Sequence, residues 1–217
     1  MKILAFDTAA NACSAALLED DRILSSRLRE MKHGQAEALF GLVQEVLDEA
    51  AVPFMGVDRV ATTLGPGSFT GLRVGLATAR GIALAGDLPV VGVTTFEAVA
   101  NGVTLSEREG CQLLVALDTK RNDLYVQGFD AALRPFMQAE VLAPSACSDF
   151  GRDGSLLVVG DGAYLLRNVF DSQEVRWSKA PGHPQATVIA RLAATREPTI
   201  RLCPIYLRAP QAKLPDV

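Results

Sequence analysis

The sequence predicts an α/β fold, and three observations carry that prediction. Strand-like and helix-like apolar runs alternate through the first hundred residues. A glycine-rich turn, Gly65-Pro66-Gly67-Ser68, joins an apolar run to a helical-period segment. The second half opens on a hairpin that repeats the start of the first. Taken in order, residues 2–6, 13–19 and 23–28 read as three strands on short polar connections, with Asp20-Asp21 as the second turn. Residues 35–50 place Ala38, Leu39, Leu42, Val43, Val46 and Leu47 at helical spacing, with Glu37, Gln44, Glu45, Asp48 and Glu49 opposite. Pro53 closes that helix. A buried strand over 57–64 follows, then a helix from about Phe69, a strand over 90–93, and a short helix from Thr95 to about Val103. Three meandering strands followed by helix, strand, helix, strand, helix is the order of a ribonuclease-H-like domain.

The polar stretch 104–110 is the best boundary, giving a domain of residues 1–104 and a smaller one of residues 105–217. Residues 112–118 and 124–129 predict a second hairpin across Thr119-Lys120-Arg121-Asn122. A shorter helix near Ser145, a strand over 156–159, and helices over 163–170 and 187–194 complete an abbreviated repeat of the first half. The C-terminal segment is free to pack back on the first domain.

With 217 residues and 49% hydrophobic content the chain can build a sizeable core. A net charge of −4 and a pI near 5.3 argue against a protein that grips nucleic acid through its own basic surface. No run approaches the roughly 20 apolar residues a membrane helix needs, and no signal-peptide pattern is present, so the expected address is the cytoplasm. Cys13, Cys111, Cys147 and Cys203 lie far apart without metal-like spacing and read as free thiols.

The stretch Gly65 to Gly75 is the most informative feature. No Gly-Lys-Ser/Thr follows, so it is not a phosphate-cradling Walker loop. Its third glycine, Gly71, falls one place late for a dinucleotide fingerprint, and no acid ends the next strand to hold a ribose. Ser68 is placed to cap the helix by accepting from the Gly71 N–H, leaving other first-turn donors for an anion. Against that stands the cost of helical glycine, ~1 kcal/mol each relative to alanine. Gly71, Gly75 and Ala79 strip one helix face, which is useful only where another backbone approaches closely. Leu72, Arg73, Leu76 and Arg80 form the other edge, a mixture that fits a partner interface. Interface is the preferred reading of this helix.

Neither His33 nor His183 has a metal-ligand companion in sequence, and no metal site is expected. Ser68 lacks a nucleophile elbow, because Phe69 and Thr70 separate it from Gly71. Asp7-Thr8 and Asp118-Thr119 end matching strands of the two halves, as a phosphate-clamping pair of domains would show; Asp and Thr also end strands for ordinary reasons. No glycine follows Asp7 to let a backbone approach phosphate.

Asp7-Thr8, the block Gly65-Pro66-Gly67-Ser68-Phe69-Thr70-Gly71-Leu72-Arg73 and the C-terminal Pro204-Ile205-Tyr206-Leu207-Arg208 together resemble the TsaB family, also called YeaZ. The resemblance spans nearly the whole chain. It implies an actin/Hsp70-like (ASKHA) fold of two ribonuclease-H-like domains with mixed sheets. It also implies an accessory role beside the catalytic paralogue TsaD and the small ATPase TsaE, in forming threonylcarbamoyladenosine at tRNA position 37. The paralogue binds metal through a histidine pair on a helix; here His33 has Glu37 at i+4. The hairpin from Asp118 to Tyr125 departs from the family's Asp-Ala-Arg…Glu-Val-Tyr pattern.

The expectation is therefore a non-catalytic scaffold with no intrinsic cofactor. Leu39, Leu42, Val43 and Val46 of the first helix, with Leu72, Arg73, Leu76 and Arg80 of the second, are expected to pair with the same helices of TsaD, or of a second copy in a homodimer. A nucleotide would sit at the partner interface, tRNA would be reached only indirectly, and no membrane is involved. The alternative is a weak ATP-dependent phosphotransferase using Asp7, Thr8 and Asp118 at the domain cleft. Peptidase chemistry, with which the family is grouped in some schemes, has no support in the sequence.

Overall fold

A computed structural model of the chain describes residues 1–151, 154–170, 175–199 and 201–208. It contains two five-stranded mixed sheets. The first runs β3-β2-β1-β4-β5, from β1 (Lys2–Ala10), β2 (Ala12–Glu19), β3 (Arg22–Glu30), β4 (Arg59–Gly65) and β5 (Val90–Thr94). β1, β2 and β3 are an antiparallel meander, and β4 and β5 extend β1 in parallel. The second sheet uses β6 (Gln112–Asp118), β7 (Leu124–Phe129), β8 (Glu140–Leu142), β9 (Leu156–Val159) and β10 (Val175–Trp177) in the order β10-β9-β6-β7-β8. Again a three-stranded meander is extended by two parallel strands. The halves thus share one topology, and the repeat seen in the sequence is a repeat of structure.

Helices α1 (Gln35–Glu49) and α2 (Phe69–Gly86) cover one face of the first sheet. α3 (Thr95–Asn101) divides its side chains, sending Ala98 toward the first sheet and Phe96, Val99 and Ala100 into the core under the second. A single turn, α4 (Leu105–Arg108), occupies the stretch read as a linker. The last helix among the described residues, α5 (Ala186–Ala194), follows the second sheet in sequence yet packs on the first. Its Ile189, Ala190 and Ala193 meet Ile3, Ala5, Leu18, Ala61, Val91 and Val93. Helices therefore lie on both faces of β1, which explains why residues 3–9 are buried without alternation.

The second half is shorter than its sequence pattern predicts. The helices expected near Ser145 and over 163–170 are single 3₁₀ turns, Pro144–Cys147 and Ala163–Leu166. Strands β8 and β10, three residues each, leave no periodic signal long enough to read.

One expectation is corrected outright. Leu39, Leu42, Val43, Val46 and Leu76 are buried in the first core with Leu4, Phe6, Leu17 and Val60, and Leu72 is only 1% exposed. They hold the two helices to their own sheet and cannot also anchor a partner. The reason is geometric: residues one apart on a helix point about 100° apart, so Leu72, Gly75, Leu76 and Ala79 turn inward while Arg73 and Arg80 turn out. Among the described residues no helix is long and apolar enough to cross a membrane.

Candidate functional site

The glycine-rich turn lies where β1 ends. Ser68 Oγ accepts the Gly71 N–H at 3.3 Å, and the Ser68 N–H donates to the Ala9 carbonyl at 2.8 Å. Thr8 Oγ1 donates to the Gly71 carbonyl at 2.7 Å. A Cβ on Gly71 would lie 2.0 Å from the Thr8 carbonyl oxygen, so the bare face of α2 is fitted to the end of β1. Close approach is the structural use of that face, and the neighbour is the chain's own strand. Gly65 is held at φ +108°, and a Cβ there would meet the Ile205 carbonyl at 2.8 Å. Gly65, Pro66, Gly67, Ser68 and Gly71 thus seat both β1 and the C-terminal segment.

The turn forms one wall of a cleft of about 810 Å³ between the two sheets. Ala9, Ala10 and Asn11 of the first hairpin and Gly67 to Phe69 face Asp118 to Arg121 of the second hairpin, with Asp161 beside them. Tyr206 and Arg208 complete the rim. Thr95 also reaches this cleft, and its buried Oγ1 has no hydrogen-bond partner among the described residues.

The three residues expected to form a nucleotide site are not brought together. Asp7 is fully buried and Thr8 nearly so, and neither lines the cleft. Asp7 Oδ1 accepts from Thr63 Oγ1 at 2.5 Å and Oδ2 from the Ala9 N–H at 3.1 Å. Burial pushes the Asp7 carboxyl up to about 7, against the opposing pull of these hydrogen bonds. Only Asp118 lies on the cleft wall, and its oxygens are engaged. Oδ1 accepts the Lys120 N–H at 2.6 Å, while Oδ2 takes the Lys120 ammonium at 3.1 Å and the Tyr164 hydroxyl at 3.2 Å. Asp161 Oδ1 accepts the Asp118 N–H at 2.9 Å, and burial raises its carboxyl above the ordinary range. The pairing of Asp7 with Asp118 across a cleft is thereby corrected: the first ends inside a core, the second in a local ion cluster. Among the described residues no three His, Cys, Asp or Glu side chains stand together as a metal site. Cys13, Cys111 and Cys147 are buried free thiols and Cys203 is exposed; burial drives the Cys13 thiol to about 12.

The arginines of α2 are used within the chain. Arg80 donates to the Leu202 carbonyl, and Arg73 Nε donates to the Tyr206 hydroxyl at 3.4 Å. The Arg73 guanidinium also stacks 3.8 Å over the Phe69 ring, which meets Tyr206 at 5.5 Å between centroids. What α1 and α2 turn outward are side chains the sequence reading passed over: Phe40 is 67% exposed and Leu84 is 87% exposed. A signal was present. Leu84 continues the line Arg73, Ala77, Arg80 at helical spacing, and Phe40 interrupts a polar face between Glu37 and Gln44. Gly41 and Gly81 stand on the same outward faces, and a Cβ on either would meet nothing within 4 Å.

The comparisons with known proteins agree with this architecture. The family model of TsaD, tRNA N6-adenosine threonylcarbamoyltransferase, matches residues 29–151. A tRNA threonylcarbamoyladenosine biosynthesis protein TsaB from Escherichia coli (strain K12) is 33% identical over 125 residues, 58% of this chain and 53% of that protein. The match therefore spans about half the length of that curated relative. The solved structure of YeaZ from Pseudomonas aeruginosa superposes with a TM-score of 0.82 at 27% identity, covering 95% of this chain and 99% of the other. The activator of the 2-hydroxyisocaproyl-CoA dehydratase from Clostridium difficile, solved with bound ADPNP, gives a TM-score of 0.52 at 11% identity over 89% of this chain and 94% of that one. That likeness shows the fold alone, an actin/Hsp70-like pair of domains.

Proposed function

The chain belongs to the TsaD family, among relatives of the TsaB/YeaZ kind, and from that premise we propose that it is a non-catalytic partner subunit in threonylcarbamoyladenosine formation on tRNA. It works in the cytoplasm by docking on the TsaD threonylcarbamoyltransferase, beside the ATPase TsaE, and self-associates through the same surface when alone. The observation that carries this reading is the outward face shared by α1 and α2. Phe40 and Leu84 stand exposed there between small residues Gly41, Ala77 and Gly81, with α1 and α2 both anchored to the same sheet face. Large apolar side chains on a face of small residues suit close helix packing against a second helix pair. Asp7 closed inside the first core and Asp118 tied to Lys120 and Tyr164 favour assembly over phosphotransfer by this pair of carboxylates. Any nucleotide used by the assembly would then be held with the partner's groups.

Leu84→Glu tests the surface. It should weaken association with TsaD, and self-association, by about ten-fold or more, equivalent to about 1.4 kcal/mol. Because Leu84 is outside the core, stability should stay within about 0.5 kcal/mol. Leu76→Glu, by contrast, would place a charge in the first core and report on folding. Light scattering and denaturation of the same samples separate the two. Unchanged association with Leu84→Glu would refute the surface.

The function itself is read by reconstituting threonylcarbamoyl transfer to tRNA with TsaD and TsaE. Omission of this chain should abolish turnover, and the chain alone should give none. Full activity without it would refute the accessory role.

A further inference from the structure

Two sequence motifs remain without a task in this reading: the atypical hairpin Asp118 to Tyr125, and the C-terminal Pro204-Ile205-Tyr206-Leu207-Arg208. The structure brings them together. The segment after α5 is fixed first to the first domain: the Thr199 N–H donates to the Val90 carbonyl at 2.6 Å, and Leu202 enters the first core. The Ile205 N–H then donates to the Leu64 carbonyl at 2.7 Å, beside the glycine at 65 whose missing side chain makes room. Tyr206 packs on Phe69 at the cleft rim. One residue later the segment has crossed over, because Leu207 packs against the core under the second sheet. Arg208 ends the crossing in an ion pair with Asp123.

Asp123 is prepared for that role. The single Thr119 hydroxyl hydrogen is shared between its Oδ1 at 2.5 Å and its backbone carbonyl at 2.8 Å, leaving Oδ2 for the guanidinium. The Thr119 hydrogen bond first, and Arg208 second among the favourable contacts, hold the carboxyl below its ordinary range. Both side chains are roughly three-quarters covered, so the pair is less screened than one on open surface.

We propose that residues 201–208 are a latch that fixes the angle between the two domains, with the 119–123 hairpin as its catch. The latch sets the width of the cleft from the rim. With Asp123 neutral, the segment stays tied to the first domain at Thr199 and Leu202 but loses its hold on the second.

The test is Asp123→Asn in the full chain, compared with Arg134→Gln, which removes an exposed ion pair within the second domain alone. Hydrogen exchange of the Ile205 amide reads the latch. Its rate should rise about five-fold in Asp123→Asn and not in Arg134→Gln. Pulsed electron–electron spectroscopy between labels at Glu49→Cys and Gln138→Cys, both exposed, in a Cys203→Ser background reads the domains. The distance distribution should broaden or shift in Asp123→Asn. The exchanged pair Asp123→Arg with Arg208→Asp should restore both readouts. Faster exchange with an unchanged distance distribution would mean that the tail frays and the domains do not depend on it, which overturns the proposal. No change in either readout overturns it as well.

Discussion

Gly71→Ala is expected to destabilise the chain by about 3 kcal/mol or more, near or beyond the upper end for an overpacked site. The added methyl would lie 2.0 Å from the Thr8 carbonyl oxygen, and backbone, unlike a long side chain, cannot swing aside. Relief requires α2 to move off β1, which strains the Thr8 Oγ1 bond to the Gly71 carbonyl and the Ser68 N–H bond to Ala9. Gly81→Ala in the same helix is the control. Its methyl would meet nothing within 4 Å, so the removal of a helical glycine should stabilise by about 0.5–1 kcal/mol. Urea denaturation of the two variants checks the pair. Equal effects, or a neutral Gly71→Ala, would show that the bare face is not fitted to β1.

The second large effect is a pH dependence carried by Asp7. Burial pushes its carboxyl up to about 7 in the folded chain against 3.8 for an unperturbed aspartate, so the folded state holds a proton that the unfolded state has already released between those values. Stability from this group is therefore full below about pH 4, declines as pH rises, and is gone above about pH 7. The slope is about 1.4 kcal/mol per pH unit and the total roughly 4 kcal/mol. Asp7→Asn cannot ionise, so the wild-type stability minus that of the variant should fall by this amount between pH 4 and pH 7 and be flat above. Denaturation at intervals of one pH unit reads it. A difference that rises with pH would mean that the hydrogen bonds from Thr63 and Ala9 outweigh burial and keep Asp7 ionised.

Much of the architecture is legible in the sequence because the first half obeys local rules. α1 shows five buried apolar positions on one stripe, and β4 and β5 are short apolar runs between turn residues. The second half is less legible where its elements shrink to three or four residues, since a single 3₁₀ turn carries no period. The site was legible as a place rather than as chemistry. The glycine block was recognisable as a strand–turn–helix junction, but glycine says only that something comes close. Whether the neighbour is a phosphate, a partner or the chain's own strand depends on residues 63 positions away, as Thr8 is from Gly71.

The same limit produced the interface error. Hydrophobicity marked Leu39, Leu42, Leu72 and Leu76 as positions that must be covered, and they are, by β1, β2 and β4 rather than by another molecule. Single exposed residues such as Phe40 and Leu84 look like noise in a sequence, because scattered surface apolar side chains are common. They gain meaning once α1 and α2 are seen on the same face of one sheet.

By itself, then, the sequence determined the doubled α/β order, the helix faces, the capped glycine turn and the family. Each of these follows from spacing along the chain, which local geometry converts directly into a face or a turn. Tertiary structure alone decided that Asp7 is a core acid and Asp118 a cleft-side ion cluster, though both follow an apolar run and precede threonine. It also decided that α5 covers the first sheet and that Arg208 reaches Asp123. Burial and pairing of a charge depend on what long-range folding packs over it, and nothing in the neighbouring residues encodes that.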